Sequence, residues 1–211
     1  MTRIDLGVFD RAWDRLEAWL AEHSPADYAA LQPPATAAEI EALEARLGFG
    51  LHPELRALLE RHNGVAEKQP SRDRNAFQAG AFLPLGHRLS RTDRIASTHR
   101  MLVGFGEDSK EAGFWDEDYL NGHPHQWVPF AHPNDGGVAF IDHRPGPAYG
   151  RVYEIGIGSG DVDGSEWSPG LGRLFAELAD SLEAGTPFKH FWPTTYEHSS
   201  GAHCVDWDIR T

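Results

Sequence analysis

Apolar residues recur along this chain with two different periods, and the switch between them marks its elements. Phe9, Trp13, Leu16 and Leu20 are spaced as one face of a helix, which Ser24-Pro25 ends. Ile40, Leu43 and Leu47 repeat that spacing after Thr36-Ala37-Ala38-Glu39. This is a capping box: the Thr36 hydroxyl accepts from the Glu39 N–H, and the Glu39 carboxylate reaches back to the Thr36 N–H. Gly48 suits the end of this helix and Pro53 the first turn of the next, whose inner face carries Leu51, Leu55, Leu58 and Leu59. Asn63-Gly64 closes it. Residues 36–64 are therefore predicted as a helix–turn–helix hairpin with Glu54, Arg56, Glu60 and Arg61 turned outward. Another helix is predicted after Ser90-x-x-Asp93, with Ile95, Leu102 and Val103 inward. A last one follows Ser168-Pro169, with Leu171, Leu174, Phe175, Leu178 and Leu182 inward, and stops at Gly185-Thr186-Pro187.

The second period is two. Short apolar runs at 127–130 and 138–142 flank Asn134-Asp135-Gly136-Gly137, residues that tolerate the positive φ of a tight reversal. After a second turn at His143-Arg144-Pro145-Gly146, residues 151–157 make a third strand, so the unit is a β-meander. Trp127, Phe130 and Phe140 have the spacing of core strand residues. A short strand is predicted at 81–85. Val205-Asp206-Trp207-Asp208-Ile209 alternates like an edge strand. Residues 65–80, 107–125 and 156–164 lack periodicity and are expected to be irregular.

Composition narrows the class. The chain has 211 residues, 40% hydrophobic and 11% aromatic, enough for a globular core without staples. Cys204 is the one cysteine, so no internal disulfide is possible and a reducing compartment fits. The first twenty residues carry scattered charges without an uninterrupted apolar run, and no stretch approaches a bilayer span. A cytoplasmic location and no membrane partner are expected. Nineteen basic residues against thirty-two acidic ones give a net charge of −13. A field of that sign repels phosphate backbones and anionic lipid, which disfavours nucleic-acid binding. It attracts basic proteins.

Candidate chemistry is sparse. Glu107, Asp108, Glu111, Asp116, Glu117 and Asp118 are interleaved with Phe114, Trp115 and Tyr119. Carboxylates steer and hydrogen-bond a basic partner, and aromatic side chains supply interface anchors. Glu107, Asp108, Glu111, Trp115, Asp116, Glu117, Asp118 and Tyr119 are therefore the candidate partner-binding residues. The alternative is a solvated loop whose aromatics pack back on the core. His123, His125, His132 and His143 lie near Asp135 and Asp142 in sequence, but without the spacing of a ligand pair on one helix, so no metal or cofactor is expected. Gly156-Ile157-Gly158-Ser159-Gly160-Asp161 matches neither the dinucleotide fingerprint nor a nucleophile elbow. His203 and Cys204, adjacent in a strand, point to opposite faces and cannot easily act as base and nucleophile.

Three segments taken in order, LHPELRALLERHNG, WVPFAHPNDGGVAFIDHRPGPAYGRV and LGRLFAELADSLEAG, resemble the SUKH superfamily, the group of the fungal Smi/Knr-type cell-wall regulators and many bacterial proteins. The resemblance spans residues 36–185. It implies an α+β fold with helices packed on a largely antiparallel sheet, and protein binding without catalysis. Bacterial members often act as immunity proteins against toxins, frequently nucleases, and fungal members as regulatory hubs. Many members carry an acidic residue after the double glycine, where this chain has Val138. The expected organisation is a peripheral N-terminal helix in residues 1–30, a SUKH-like domain in 31–188 and a tail in 189–211. The expected function is a non-catalytic immunity-type inhibitor or regulatory scaffold binding a protein, such as a basic toxin. The alternative is a metal-dependent hydrolase using His123, His125 or His132.

Overall fold

A computed structural model describes residues 5–67, 79–113, 122–133, 136–156, 164–197 and 201–210. It is an α+β fold with a five-stranded antiparallel sheet in the order β1-β2-β3-β4-β5. The strands are Arg88–Leu89 (β1), Trp127–His132 (β2), Val138–Asp142 (β3), Val152–Ile155 (β4) and Ser165–Ser168 (β5). The predicted meander is β2-β3-β4, with Val128 opposite Ile141 and Phe140 opposite Tyr153. Its first turn contains Gly137 at φ 122°, where a Cβ would sit 3.1 Å from the Ile155 carbonyl oxygen, so glycine is required. Strand β3 is buried on both faces, which explains its unbroken apolar run. Ala139 and Ile141 join the main core, and Val138 and Phe140 pack with Trp127 and Leu102 on the opposite face.

Among the described residues there are six α-helices: Leu6–His23 (α1), Pro25–Ala30 (α2), Ala37–Leu47 (α3), Pro53–Arg61 (α4), Thr92–Glu111 (α5) and Leu171–Ala184 (α6). The hairpin α3–α4 forms as its sequence dictates. Thr36 Oγ1 accepts from the Glu39 N–H at 3.2 Å, and Glu39 Oε2 accepts from the Thr36 N–H at 2.8 Å. Gly48 closes α3 at φ 84°.

The N-terminal helix is not peripheral. Phe9, Trp13, Leu16 and Leu20 are fully buried, and the Trp13 ring lies edge-on to Phe175 of α6 at 4.9 Å. Arg15 bridges to Asp180 and Glu183 of α6, and Arg61 of α4 to Asp10 and Asp14. An amphipathic stripe that wide cannot stay in water, so α1 is part of the core.

Other expectations need correction. The strand expected at 81–85 is a turn, because Leu85 and Gly86 both take positive φ around a short 3-10 segment at Pro84–Gly86. The pairing strand is β1 instead. Helix α5 is not capped by Ser90 or Asp93: the Asn63 side chain accepts from the Thr92 N–H at 2.9 Å, across 29 residues. The helix then runs on to Glu111, through residues expected to be irregular. Glu54 points inward, not outward, and caps the N-terminus of α6. The strand expected at 205–209 does form, and the tail makes it outside the main sheet. It folds back as a separate two-stranded ribbon of Phe191–Glu197 (β6) and His203–Ile209 (β7). The N–H groups of Val205 and Trp207 turn away from β6 toward the Asp27 and Asp206 carboxylates, so Pro193 and Thr195 opposite them face the outer edge of β6. Pro193 brings no N–H to that edge, which blunts it against further pairing.

Candidate functional site

The C-terminal half of α5 carries the described part of the predicted acidic surface. Ile95, Thr98, His99, Leu102 and Gly106 face inward at helical spacing and fix the rotation of the helix. That rotation turns Met101 and Phe105, one turn apart, into water at 41% and 48% exposure. Gly104 lies between their turns, with no neighbouring atom within 4 Å of where a Cβ would be. Glu107, Asp108 and Glu111 are exposed on the following turns. Asp108, three residues after Phe105 and seven after Met101, shares their side of the helix, while Glu111 and then Glu107 lie farther round the exposed surface. Trp115, Asp116, Glu117, Asp118 and Tyr119 lie outside the described residues, as does Phe114.

A groove of about 1130 Å³ lies where the N-terminal ends of α1, α4 and α6 meet the loop after β3. Leu6, Val8 and Tyr149 supply apolar wall, and His52, Glu54 and His143 a polar floor. The sequence reading singled out His143 among the loop histidines and took Glu54 for a surface residue, but did not join either to His52. His143 Nε2 accepts from the His52 N–H at 2.9 Å, which puts the ring proton on Nδ1, where it is donated to the Ile141 carbonyl at 3.0 Å. His52 Nδ1 accepts from the Glu54 N–H. Glu54 Oε2 accepts from the Leu171 N–H at 2.9 Å and caps α6 at its positive end. Gly150, at φ 91°, lets the loop close over His52: a Cβ there would stand 2.5 Å from His52 Nε2.

Burial sets the charge of this floor. Desolvation, then the neighbouring His143, hold His52 down to about 4. His143 is lowered too, by burial, against the pull of the Ile141 carbonyl and Asp142. The Glu54 carboxyl is raised by burial, although the backbone N–H groups of Gly172 and Leu171 oppose the rise. Both imidazoles are neutral near pH 7, and the bonds just named hold helices and loop together. The signal in the sequence was Leu51-His52-Pro53-Glu54, an N-cap acceptor and a first-turn acid around a proline.

The loop histidines do not assemble as a centre. His132 Nδ1 lies 2.9 Å from Ser90 Oγ, and His143 is held between backbone groups. The rings of His123 and His125 are 6.1 Å apart. Among the described residues, no three His, Cys, Asp or Glu side chains are placed to hold a metal ion. Cys204 is buried while His203 is exposed, as strand alternation requires. Burial, then Asp27, push the thiol up to about 12, where it is a poor nucleophile. No helix among the described residues is long and apolar enough to cross a membrane.

A sequence model of the SMI1 / KNR4 family (SUKH-1) matches residues 34–184. No curated protein matches the chain. The matched span contains the helix hairpin, the whole five-stranded sheet and α6. It leaves out α1 and the ribbon.

Proposed function

Because the chain belongs to the SMI1 / KNR4 family (SUKH-1), we propose that it is a non-catalytic protein-binding module of immunity or regulatory type, and that a basic protein docks on the C-terminal half of α5. The observation that carries this reading is the exposure of Met101 and Phe105 on the same half of α5 as the exposed Glu107, Asp108 and Glu111. Leaving two large apolar side chains in water forfeits burial energy on the order of 1 kcal/mol each, which a partner recovers. Carboxylates around an apolar centre speed encounter with a positively charged surface and select against acidic ones. The net charge of −13 extends the same field over the molecule. A nuclease-type toxin must be basic to hold its substrate, so it suits this surface. Polar groups of the large groove are engaged in joining α4, α6 and the β3 loop, which supports binding over turnover as the role of the fold.

The test uses the full chain as bait under native conditions, followed by titration of the purified partner at low and high salt. Replacing Glu107, Asp108 and Glu111 by the corresponding amides is expected to weaken binding about tenfold at low salt and to flatten its salt dependence. Phe105→Ala is expected to accelerate dissociation. Unchanged affinity and salt dependence in both variants would place the interface elsewhere. Protection of cells from a toxin encoded beside this chain separates immunity from regulation.

A further inference from the structure

Among the described residues, a small basic cavity stands against the acidic background. It is about 240 Å³ and lies at the opposite end of α5 from the carboxylates, between β1, the first turn of α5 and the end of β2. Arg88, Arg91, Arg94 and His132 line it. The fold brings them together in three ways. Arg88 and His132 are direct cross-strand partners in the β1–β2 ladder, so their side chains share a face. Arg91 is the N-cap residue of α5, and Arg94 follows it by one turn. Gly64, at φ 69°, packs the chain against Ser90 so closely that a Cβ would stand 2.6 Å from the Ser90 carbonyl carbon, which brings the end of α4 against the start of α5.

The Arg91 and Arg94 donors are only partly used. Arg91 Nε is buried and has no hydrogen-bond partner among the described residues; its nearest carboxylate, Asp93, stands 3.7 Å away, beyond hydrogen-bond range. Arg94 makes no ion pair among the described residues. Glu67 is a carboxylate in the lining, and Asp27 acts on Arg88 from behind. His132 lies among these cations: burial first, then Arg94, Arg88 and His87, hold its imidazole down to about 4. With Ser90 Oγ on Nδ1, Nε2 is the ring nitrogen left by that bond. The positive end of the α5 dipole adds to the field.

We propose that Arg88, Arg91, Arg94 and His132 form a binding site for a phosphoryl-type oxyanion, borne either by a free phosphate or by a phosphorylated side chain. A carboxylate is satisfied by one bidentate guanidinium, whereas a phosphoryl group offers three strong acceptor oxygens in different directions and calls for several donors. Guanidinium forks match that geometry better than ammonium groups do. The cavity is smaller than the pockets that take drug-sized ligands, so it admits the anion and not a nucleotide.

The experiment titrates the full chain with inorganic phosphate at constant ionic strength, following amide and imidazole shifts by NMR, with chloride and acetate as comparison anions. A phosphoserine tripeptide with blocked ends forms the second arm. Saturable phosphate shifts at Arg91, Arg94 and His132 are expected, weakened at least about fivefold in Arg94→Gln and in Arg91→Gln. Tighter binding of the phosphoserine peptide than of phosphate assigns the anion to a protein-borne group, and the reverse assigns a free ion. Shifts reproduced by chloride, equal binding of acetate, or full phosphate affinity in both folded variants would overturn the assignment.

Discussion

The buried His52 makes a quantitative prediction about acid. Its side chain is 5% exposed, and its folded value of about 4 lies below the ordinary 6.5. The unfolded state therefore binds the proton more readily than the folded one. Stability contributed by the neutral ring is fully present above the unfolded value and is lost as pH falls through 6.5 toward 4. Integrating the linkage relation from pH 7 to pH 5 gives a loss of about 2 kcal/mol from this one residue. Glu54, 4.0 Å from His52 Nδ1, acts with the opposite sign: its raised carboxyl takes up a proton in the folded state first and so gains stability as pH falls. His132, held at about 4, adds to the loss. A comparison of wild type with His52→Asn isolates the one ring, because asparagine keeps an acceptor for the Glu54 N–H at the start of α4. Urea unfolding followed by tryptophan fluorescence at pH 7 and pH 5 reads both proteins. Wild type is expected to lose about 2 kcal/mol more than the variant over that interval. Equal losses would show that protonating His52 costs nothing in the fold and would refute the reading of the groove floor as a desolvated, neutral cluster.

Other outcomes follow from packing and charge. Trp13→Ala, at the centre of the α1–α6 contact, is expected to cost about 3–5 kcal/mol in urea unfolding, and a chain cut to the family-matched residues 34–184 is expected to show no cooperative transition. Asp27 accepts from Ser24 Oγ at 2.6 Å and from the N–H groups of Gly80 and Val205 at 2.7 Å each, all buried. Asp27→Ala strands two of those donors, so a loss of roughly 3–5 kcal/mol is expected, with a smaller loss in Asp27→Asn. On α5, the double exchange Arg94→Glu and Glu111→Lys is expected to raise the melting temperature by a few degrees at low salt, an effect that 0.5 M salt removes.

What the sequence revealed was local. Thr36 and Glu39 announced their capping box because both partners lie within one turn, and the β-meander was readable because turn chemistry and alternation coincide in it. What it hid was long-range. Nothing near Glu54 says that its carboxylate caps a helix 117 residues away, and nothing near Asn63 says that it caps α5. Residues 107–111 lack an apolar stripe, and α5 passes Gly104 and Gly106 to reach them because burial of its inner face outweighs a propensity cost of about 1 kcal/mol per glycine. At the candidate surface, Glu107, Asp108 and Glu111 were legible as charges. The exposure of Met101 and Phe105 was not, because it depends on which side of α5 meets the sheet.

Helix α5 carries its charges against its own dipole. Arg91 and Arg94 stand at the positive end, and Glu107, Asp108 and Glu111 at the negative end; only Asp93 and Lys110 have the favourable sign. Each mismatched end costs on the order of 0.3–1 kcal/mol at low ionic strength, and exposed Arg94 and Glu111 could change sign without disturbing the core. Local rules broken in this way, without packing to compensate, are expected where a surface serves a ligand. The two ends also act separately. At 1.5 Å per residue, Arg91 and Glu111 are about 30 Å apart, several Debye lengths at physiological salt. A protein bound over Phe105 with a patch of about 800 Å² per partner reaches roughly half that distance from its centre. Amide substitutions at Glu107, Asp108 and Glu111 should therefore leave phosphate binding at Arg94 unchanged, and Arg94→Gln should leave partner binding unchanged. Coupling between the two would mean that α5 moves as a unit when either end is occupied.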